Sequence, residues 1–208
     1  MGFAGAPTQY FYTVLQQHLL LAFGWVLFGF FHSVLASGRL KRALFGRMPR
    51  LAPYYRAAYV LFAFATLGAL LWWQLRIPSP LLLPAGWRFA GYILGAAGAI
   101  LMVACIRKYF LSLSGLKSLF RHEVVAPELR IDGVHRYVRH PLYLGTFAFV
   151  WGLFLVVPYA SMGITAFFIH AYTVLAIPFE EAKLVQDFGA DYERYRRQVP
   201  RLWPRILK

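Results

Sequence analysis

Five long apolar runs, at residues 13–35, 57–75, 87–106, 141–157 and 161–177, leave this chain few folds to choose from. A helix rises about 1.5 Å per residue, so about 20 apolar residues cross the ~30 Å hydrocarbon core of a bilayer. The last two runs, of 17 residues each, sit at the short end of that range. Only Pro158-Tyr159-Ala160 separates them, which predicts a tight hairpin. With 60% hydrophobic residues the chain is too apolar for an ordinary soluble domain. The expectation is an all-α polytopic membrane protein with about five transmembrane helices. It forms one membrane domain over residues 1–208, with three spans in 1–106 and a functional half in 107–208. The single cysteine, Cys105, excludes an intrachain disulfide and a cysteine-rich metal site, and no metal is expected.

A net charge of +14 invites a nucleic-acid reading, but the placement of the charge argues against one. Twenty of the 22 Lys and Arg residues fall in the 36–56 loop, the 107–140 loop and the tail; only Arg76 and Arg88 lie between the other ends of the spans. With five spans those three segments share one side. The positive-inside rule then puts the N-terminus outside and the C-terminus in the cytoplasm. No basic residue precedes the first run and no cleavage site follows it, so it reads as a span and not as a removable signal. The 37–56 loop, with Gly38, Gly46, Pro49 and Pro53, reads as a short turn-rich connection. In the 107–140 loop, leucines alternate with serines over 111–120, which predicts a short helix lying on the membrane surface.

Two junctions between apolar and polar sequence carry chemistry. In Arg136-Tyr137-Val138-Arg139-His140-Pro141-Leu142-Tyr143-Leu144-Gly145, Pro141 fits the first position of a helix and His140 its N-cap. The unsatisfied N–H groups there are a natural carboxylate site, and Arg139 adds a charge-assisted donor. Gly145 and Gly152 let another helix or a flat ligand approach closely. The second junction is Glu180-Glu181, read as lying just past a span that ends before Pro178. Two acids there would oppose the helix dipole, which points to binding of a cationic or hydroxyl-bearing group. Leu184, Phe188, Tyr192, Tyr195 and Val199 then form a continuous helical stripe, expected as an amphipathic interfacial helix whose tyrosines fold back over a ligand. S-adenosyl-L-methionine has all the matching groups: a carboxylate, an amine, a sulfonium, a ribose and a flat base.

At these residues the chain resembles the integral-membrane methyltransferase superfamily of isoprenylcysteine carboxyl methyltransferases and phospholipid N-methyltransferases. Arg139-His140-Pro141, Tyr143 and Gly145 match that family's R-H-P-x-Y-x-G. Glu180-Glu181, Phe188-Gly189, Tyr192, Tyr195, Val199-Pro200-Arg201 and Pro204 match its C-terminal pattern. Upstream, Phe31-His32-Ser33-Val34-Leu35-Ala36 looks more like the branch of bacterial methanethiol S-methyltransferases, which implies a bacterial inner membrane. The resemblance implies S-adenosylmethionine held at the cytoplasmic face by Arg139, His140, Pro141, Tyr143, Gly145, Glu180, Glu181, Tyr192 and Tyr195. It also implies a lipophilic or small-thiol acceptor entering from the bilayer, among membrane lipids, with His32 on the acceptor's side. One departure stands out: the family often has Gly-x-Tyr before R-H-P, where this chain has Gly133-Val134-His135.

The expected reaction is SN2 methyl transfer to a nucleophile, best a thiol, with carboxyl or phospholipid amine methylation as the alternatives. A thiol needs a base unless it arrives ionised, and His135, His140 and Glu181 are the candidates. Histidines inside apolar runs, His18, His32 and His170, support a different class of reading: a haem-binding electron-transfer subunit. A scaffold without activity is a third. The sequence carries no signal for an oligomeric state.

Overall fold

Helices begin and end where the sequence supplies caps and breakers, with differences from the expected bounds that have local causes. The computed structural model describes residues 6–113, 129 and 131–204. Helix α1 covers Ala6–Ala36. Ser37 breaks it and caps α2, Gly38–Arg47, by accepting a hydrogen bond from the Leu40 N–H. So most of the expected turn-rich loop is helical. A 3₁₀ turn, Pro49–Leu51, leads into α3, Ala52–Gln74, which starts five residues earlier than the apolar run because Pro53 fits its first turn. Helix α4 spans Arg88–Leu113, α5 Pro141–Val156, α6 Ala160–Phe188 and α7 Ala190–Gln198. The expected surface helix beyond Leu113 lies outside the described residues. Among the described residues there is no strand, only an isolated bridge between Leu81 and Tyr159.

Two expectations about the C-terminal half are corrected. Helix α6 does not end before Pro178 but runs ten residues past it, with Pro178 inside. Proline removes one backbone hydrogen bond, and a helix packed against neighbours tolerates that loss. Glu180 and Glu181 therefore project from a helix interior, not from its terminus. The apolar stripe is also not continuous. Gly189, at φ 54° and ψ −128°, breaks the chain between α6 and α7, so Leu184 and Phe188 belong to one helix and Tyr192 and Tyr195 to the next.

Four helices are long and apolar enough to cross a membrane, at Gln9–Ala36, Pro49–Gln74, Ala85–Arg107 and Ala160–Phe188; α5 is a shorter apolar helix. Their surfaces agree with a lipid environment, since Leu61 is 70% and Phe89 75% exposed. The α3–α4 and α5–α6 links are tied together at one end by Leu82 N–H to Pro158 O (2.7 Å) and Ala160 N–H to Pro80 O (3.0 Å). The His18 ring of α1 joins that end through Ser79 Oγ, 2.9 Å away, and Ser79 Oγ also accepts from the Ser161 N–H. Arg76, in the α3–α4 link, lies over the Trp72 ring.

Packing between helices follows residue size. Gly91, Gly95 and Gly98 of α4 face Gly145 and Gly152 of α5 so closely that a Cβ on Gly91 would come within 2.8 Å of Gly152 O. Polar side chains join α1, α3 and α6 in the interior: Trp25 Nε1–H donates to Thr165 Oγ1 (3.0 Å), whose hydroxyl donates to Gln74 Oε1. Leu21, Trp25, Leu70 and Ile77 pack around this chain of bonds. Gln74→Leu removes the last acceptor, and a thermal melt in detergent should register a loss of about 1–2 kcal/mol. An unchanged melting temperature would mean the chain of bonds contributes nothing.

Candidate active site

The ends of α1, α4 and α6 and the starts of α3 and α5 share the opposite end of the bundle, and there the two sequence junctions meet. Gly133, at φ 59°, opens a 3₁₀ turn over Gly133–Arg136. The Tyr195 hydroxyl of α7 fixes that turn by donating to the His135 carbonyl (2.7 Å). The chain is then bonded to the tail: Arg139 N–H donates to Pro200 O (2.9 Å) and His140 N–H to Arg201 O (3.1 Å). Pro141 next starts α5, with no side chain capping the N–H groups of its first turn.

Glu181 is the centre of the assembly. Its residue is only 3% exposed, and its carboxylate takes hydrogen bonds from Arg139 Nε (2.9 Å) and Nη2 (2.8 Å), from His140 Nε2 (3.1 Å) and from Arg201 Nη2 (3.1 Å). Arg139 Nη1 donates in addition to the Arg196 and Val199 carbonyls, which the end of α7 leaves unsatisfied within the helix. Four of the five N–H donors of Arg139 are thus engaged by the protein itself. The group ties α5, α6, α7 and the tail into one unit.

Glu180, the neighbouring residue on α6, faces differently because successive helical side chains diverge by about 100°. Its side chain is 44% exposed, against 4% for Glu181. Tyr143 Oη donates to Glu180 Oε2 (2.6 Å), and the Tyr143 ring stacks on His140 at an interplanar angle of 7°. His140 turns Nε2 to Glu181 and Nδ1 toward Glu180, 3.7 Å from its Oε2. The Tyr192 ring is 1% exposed, and its hydroxyl, buried against Arg139 and Glu181, closes no hydrogen bond of good geometry. Burial, with the nearby Glu181 charge, pushes that phenol up to about 12.

Arg139, His140, Pro141, Tyr143, Glu180, Glu181, Tyr192 and Tyr195 are therefore brought together. His135 takes part through its backbone carbonyl. Gly145 belongs to the helix interface: a Cβ there would meet Gly98 O and Met102 at 3.1 Å, so the neighbour it admits is α4. His32 lies outside the cluster, 2.8 Å from Tyr59 Oη, with its ring edge-on to Tyr172. His18 is held by Ser79 and Val14, and His170 by Trp151 and Phe147, each by its own neighbours. Sequence reasoning missed Arg201 as the third partner of Glu181, and Tyr59 and Tyr172 as partners of His32. A phenol in the middle of an apolar helix was the available signal, since it needs a partner there.

The "Phospholipid methyltransferase" family description matches residues 87–191, which include both junctions up to Asp191. The chain is 33% identical to "Methanethiol S-methyltransferase 2" of Bradyrhizobium diazoefficiens, over 98% of this chain and 78% of that protein. It is 32% identical to the "Methanethiol S-methyltransferase" of Crocosphaera subtropica, over 88% and 72%. Identity is also 32% to the "Protein-S-isoprenylcysteine O-methyltransferase" of Schizosaccharomyces pombe, over 61% and 54%. No solved structure matches the chain. Its apolar helices and these relatives make it an integral membrane enzyme of the methyltransferase class. The chain belongs to the phospholipid methyltransferase family.

Proposed function

We propose that this enzyme transfers the methyl group of S-adenosyl-L-methionine to a thiol at the basic end of the helix bundle. The observation that carries this reading is the division of labour between two adjacent acids: Glu181 is consumed by two arginines and His140, while Glu180 remains open beside the uncapped start of α5. The residues fit the donor. The free N–H groups of Leu142 and Tyr143 suit its carboxylate, Glu180 suits its ammonium or ribose hydroxyls, and the orphaned Tyr192 hydroxyl supplies one more polar contact. Tyr143 and Tyr195 offer aromatic surface. Arg139, Glu181 and Arg201 act as positioning residues, Pro141 sets the start of α5 and Gly145 its closeness to α4.

When bound, the sulfonium supplies an electrophilic methyl: the acceptor's S–C bond forms, the donor's C–S⁺ bond breaks with its electron pair left on sulfur, S-adenosylhomocysteine departs and the thiol proton is released. His140 Nδ1 accepts that proton and passes it to water, with Glu181 holding the ring by Nε2. Glu181 is then an orienting group. Proximity and exclusion of water supply the rest of the rate.

Helix α5 is a fifth crossing in this reading, because its two ends are bonded to elements at opposite ends of the bundle. With the N-terminus outside, the site faces the cytoplasm of a bacterial inner membrane. Helix α7 packs its tyrosines inward and leaves its arginines toward the interface. The methanethiol S-methyltransferase relatives favour a thiol acceptor over a carboxyl or an amine. Calorimetric titration of S-adenosylmethionine and S-adenosylhomocysteine into the purified protein tests the reading, with saturable micromolar binding expected. Glu180→Ala should weaken that binding at least tenfold without moving the melting temperature. Undiminished binding in the variant would remove Glu180 from the site; no binding by the folded parent would end the methyltransferase assignment of this cluster.

A further inference from the structure

Lys41 of α2, Arg56 of α3 and Lys183 of α6 gather at the basic end of the bundle, and the local structure explains why. The chain turns out of α1 at Ser37, whose carbonyl accepts from the Lys41 N–H (3.2 Å) at the start of α2. The start of α3 is held to both preceding helices. Tyr55 Oη donates to Leu35 O (2.8 Å), and the Phe45 ring meets the Tyr55 ring edge-on with centroids 5.5 Å apart. Arg56 is the next residue. On α6, Tyr172 fits the notch left by Gly29 and its hydroxyl bonds Ser33 Oγ (3.0 Å), so that face of α6 lies on α1. Lys183 returns to the same face about three helical turns later.

These cations meet each other and no acid. Lys41 is half-buried, and burial, with the charges of Lys183 and Arg56, lowers its ammonium from the ordinary lysine value. Among the described residues the ion pairs use Arg139, His140, Arg194 and Arg201, and none reaches Lys41, Arg56 or Lys183. Glu180 and Asp187 stand about one turn to either side of Lys183, yet neither pairs with it, and Glu180 is bonded by Tyr143. Helix α2 has four cations and no acid of its own. The positive-inside bias accounts for cations on this side of the membrane, but not for three of them converging from three helices with one half-buried. We infer that Lys41, Arg56 and Lys183 form a phosphate site, in addition to the methyl-transfer cluster. Arg56 offers a planar fork and the lysines two point charges, so each can take its own phosphate oxygen, whereas a carboxylate has only two. The ends of the spans lie at the level of lipid headgroups, and basic pockets between helices on that side suit anionic lipids. Soluble phosphate shares this chemistry, and the experiment separates the two sources.

The test melts the full-length protein in dodecylmaltoside at rising mole fractions of phosphatidylglycerol or zwitterionic phosphatidylcholine, and separately in rising inorganic phosphate at constant ionic strength. A ligand that binds only the folded form raises the melting temperature. A saturable rise is expected with phosphatidylglycerol and none with phosphatidylcholine. Lys41→Gln and Arg56→Gln should each shift the half-point by about tenfold, the loss of one charge-assisted contact. Arg47→Gln, one cation fewer on α2, should stay within about twofold. A saturable rise with inorganic phosphate, weakened by the same two variants, also supports the site and assigns it to a soluble phosphate. Without lipid or phosphate, Lys41→Gln should melt at or above the parent temperature, because it removes repulsion and breaks no side-chain bond. A lower melting temperature there overturns the inference. So does the absence of a saturable rise with both phosphatidylglycerol and inorganic phosphate, an equal rise with phosphatidylcholine, or an equal shift in Arg47→Gln; these leave the cations to the general charge of this face. No step uses a methyl donor, so this result and the S-adenosylmethionine titration stand or fall separately.

Discussion

Glu181→Ala should lower the stability of the C-terminal half by about 3–5 kcal/mol, the largest single-site loss expected in this chain. The carboxylate is 4% exposed and the Arg139 side chain 8%, so neither charge can turn to water when its partner disappears. Removing the acid leaves the Arg139 guanidinium buried with two carbonyls as its remaining acceptors, frees Arg201 and takes the orienting bond from His140. The tail should detach from α5, and limited proteolysis after Gly189 should become fast. A thermal melt followed by tryptophan fluorescence reads the first effect and gel analysis the second. A variant with the parent's melting temperature and protease resistance would mean that the ion cluster is decoration, and the positioning role of Arg139 and Glu181 would fall with it. Glu180→Ala serves as the control one residue away, since it removes an equal charge from an accessible position.

The second large effect is expected at the α4–α5 interface, where Gly152→Leu should prevent a folded, monodisperse protein from being recovered. A Cβ at residue 152 would lie 2.6 Å from Gly95 Cα and 2.9 Å from Gly91 O, so the obstacle is backbone and cannot rotate away. Even Gly152→Ala should cost about 1–3 kcal/mol, the range of core overpacking. Gly68→Leu is the matched control: the same change in an apolar helix, at a glycine with nothing within 4 Å of its would-be Cβ. Equal behaviour of the two leucine variants in size-exclusion chromatography would disprove the close approach of α4 and α5. Because α5 carries Pro141 and Tyr143 at its start, any separation of this pair also displaces the site.

Much of the protein was legible from hydropathy and charge. The apolar runs determined helices, since a bilayer leaves no other way to satisfy backbone groups in these segments. Pro141 marked a true boundary because a missing N–H is a property of a single residue, whereas the break at Gly189 falls inside the stripe that spacing had joined into one helix. Pro178 did not, because whether a helix survives a proline depends on what packs around it. The residues of the candidate site were chosen by type and spacing, and the chain does bring Arg139, His140, Glu180 and Glu181 together. Their division of labour was hidden. Which of two adjacent acids faces Arg139, His140 and Arg201 and which stays open is set by the rotation of α6 against α5 and the tail. Arg139 looked like a ligand donor in the sequence and is mostly consumed by Glu181 and the end of α7 in the fold. The pairing of His32 with Tyr59 arises from a contact across 27 residues of sequence. Composition and local spacing determined the membrane setting, the helices and the chemical groups on hand; the tertiary packing alone decided which groups stay free, because hydrogen-bond donors and charges are spent by whichever partner the fold brings nearest.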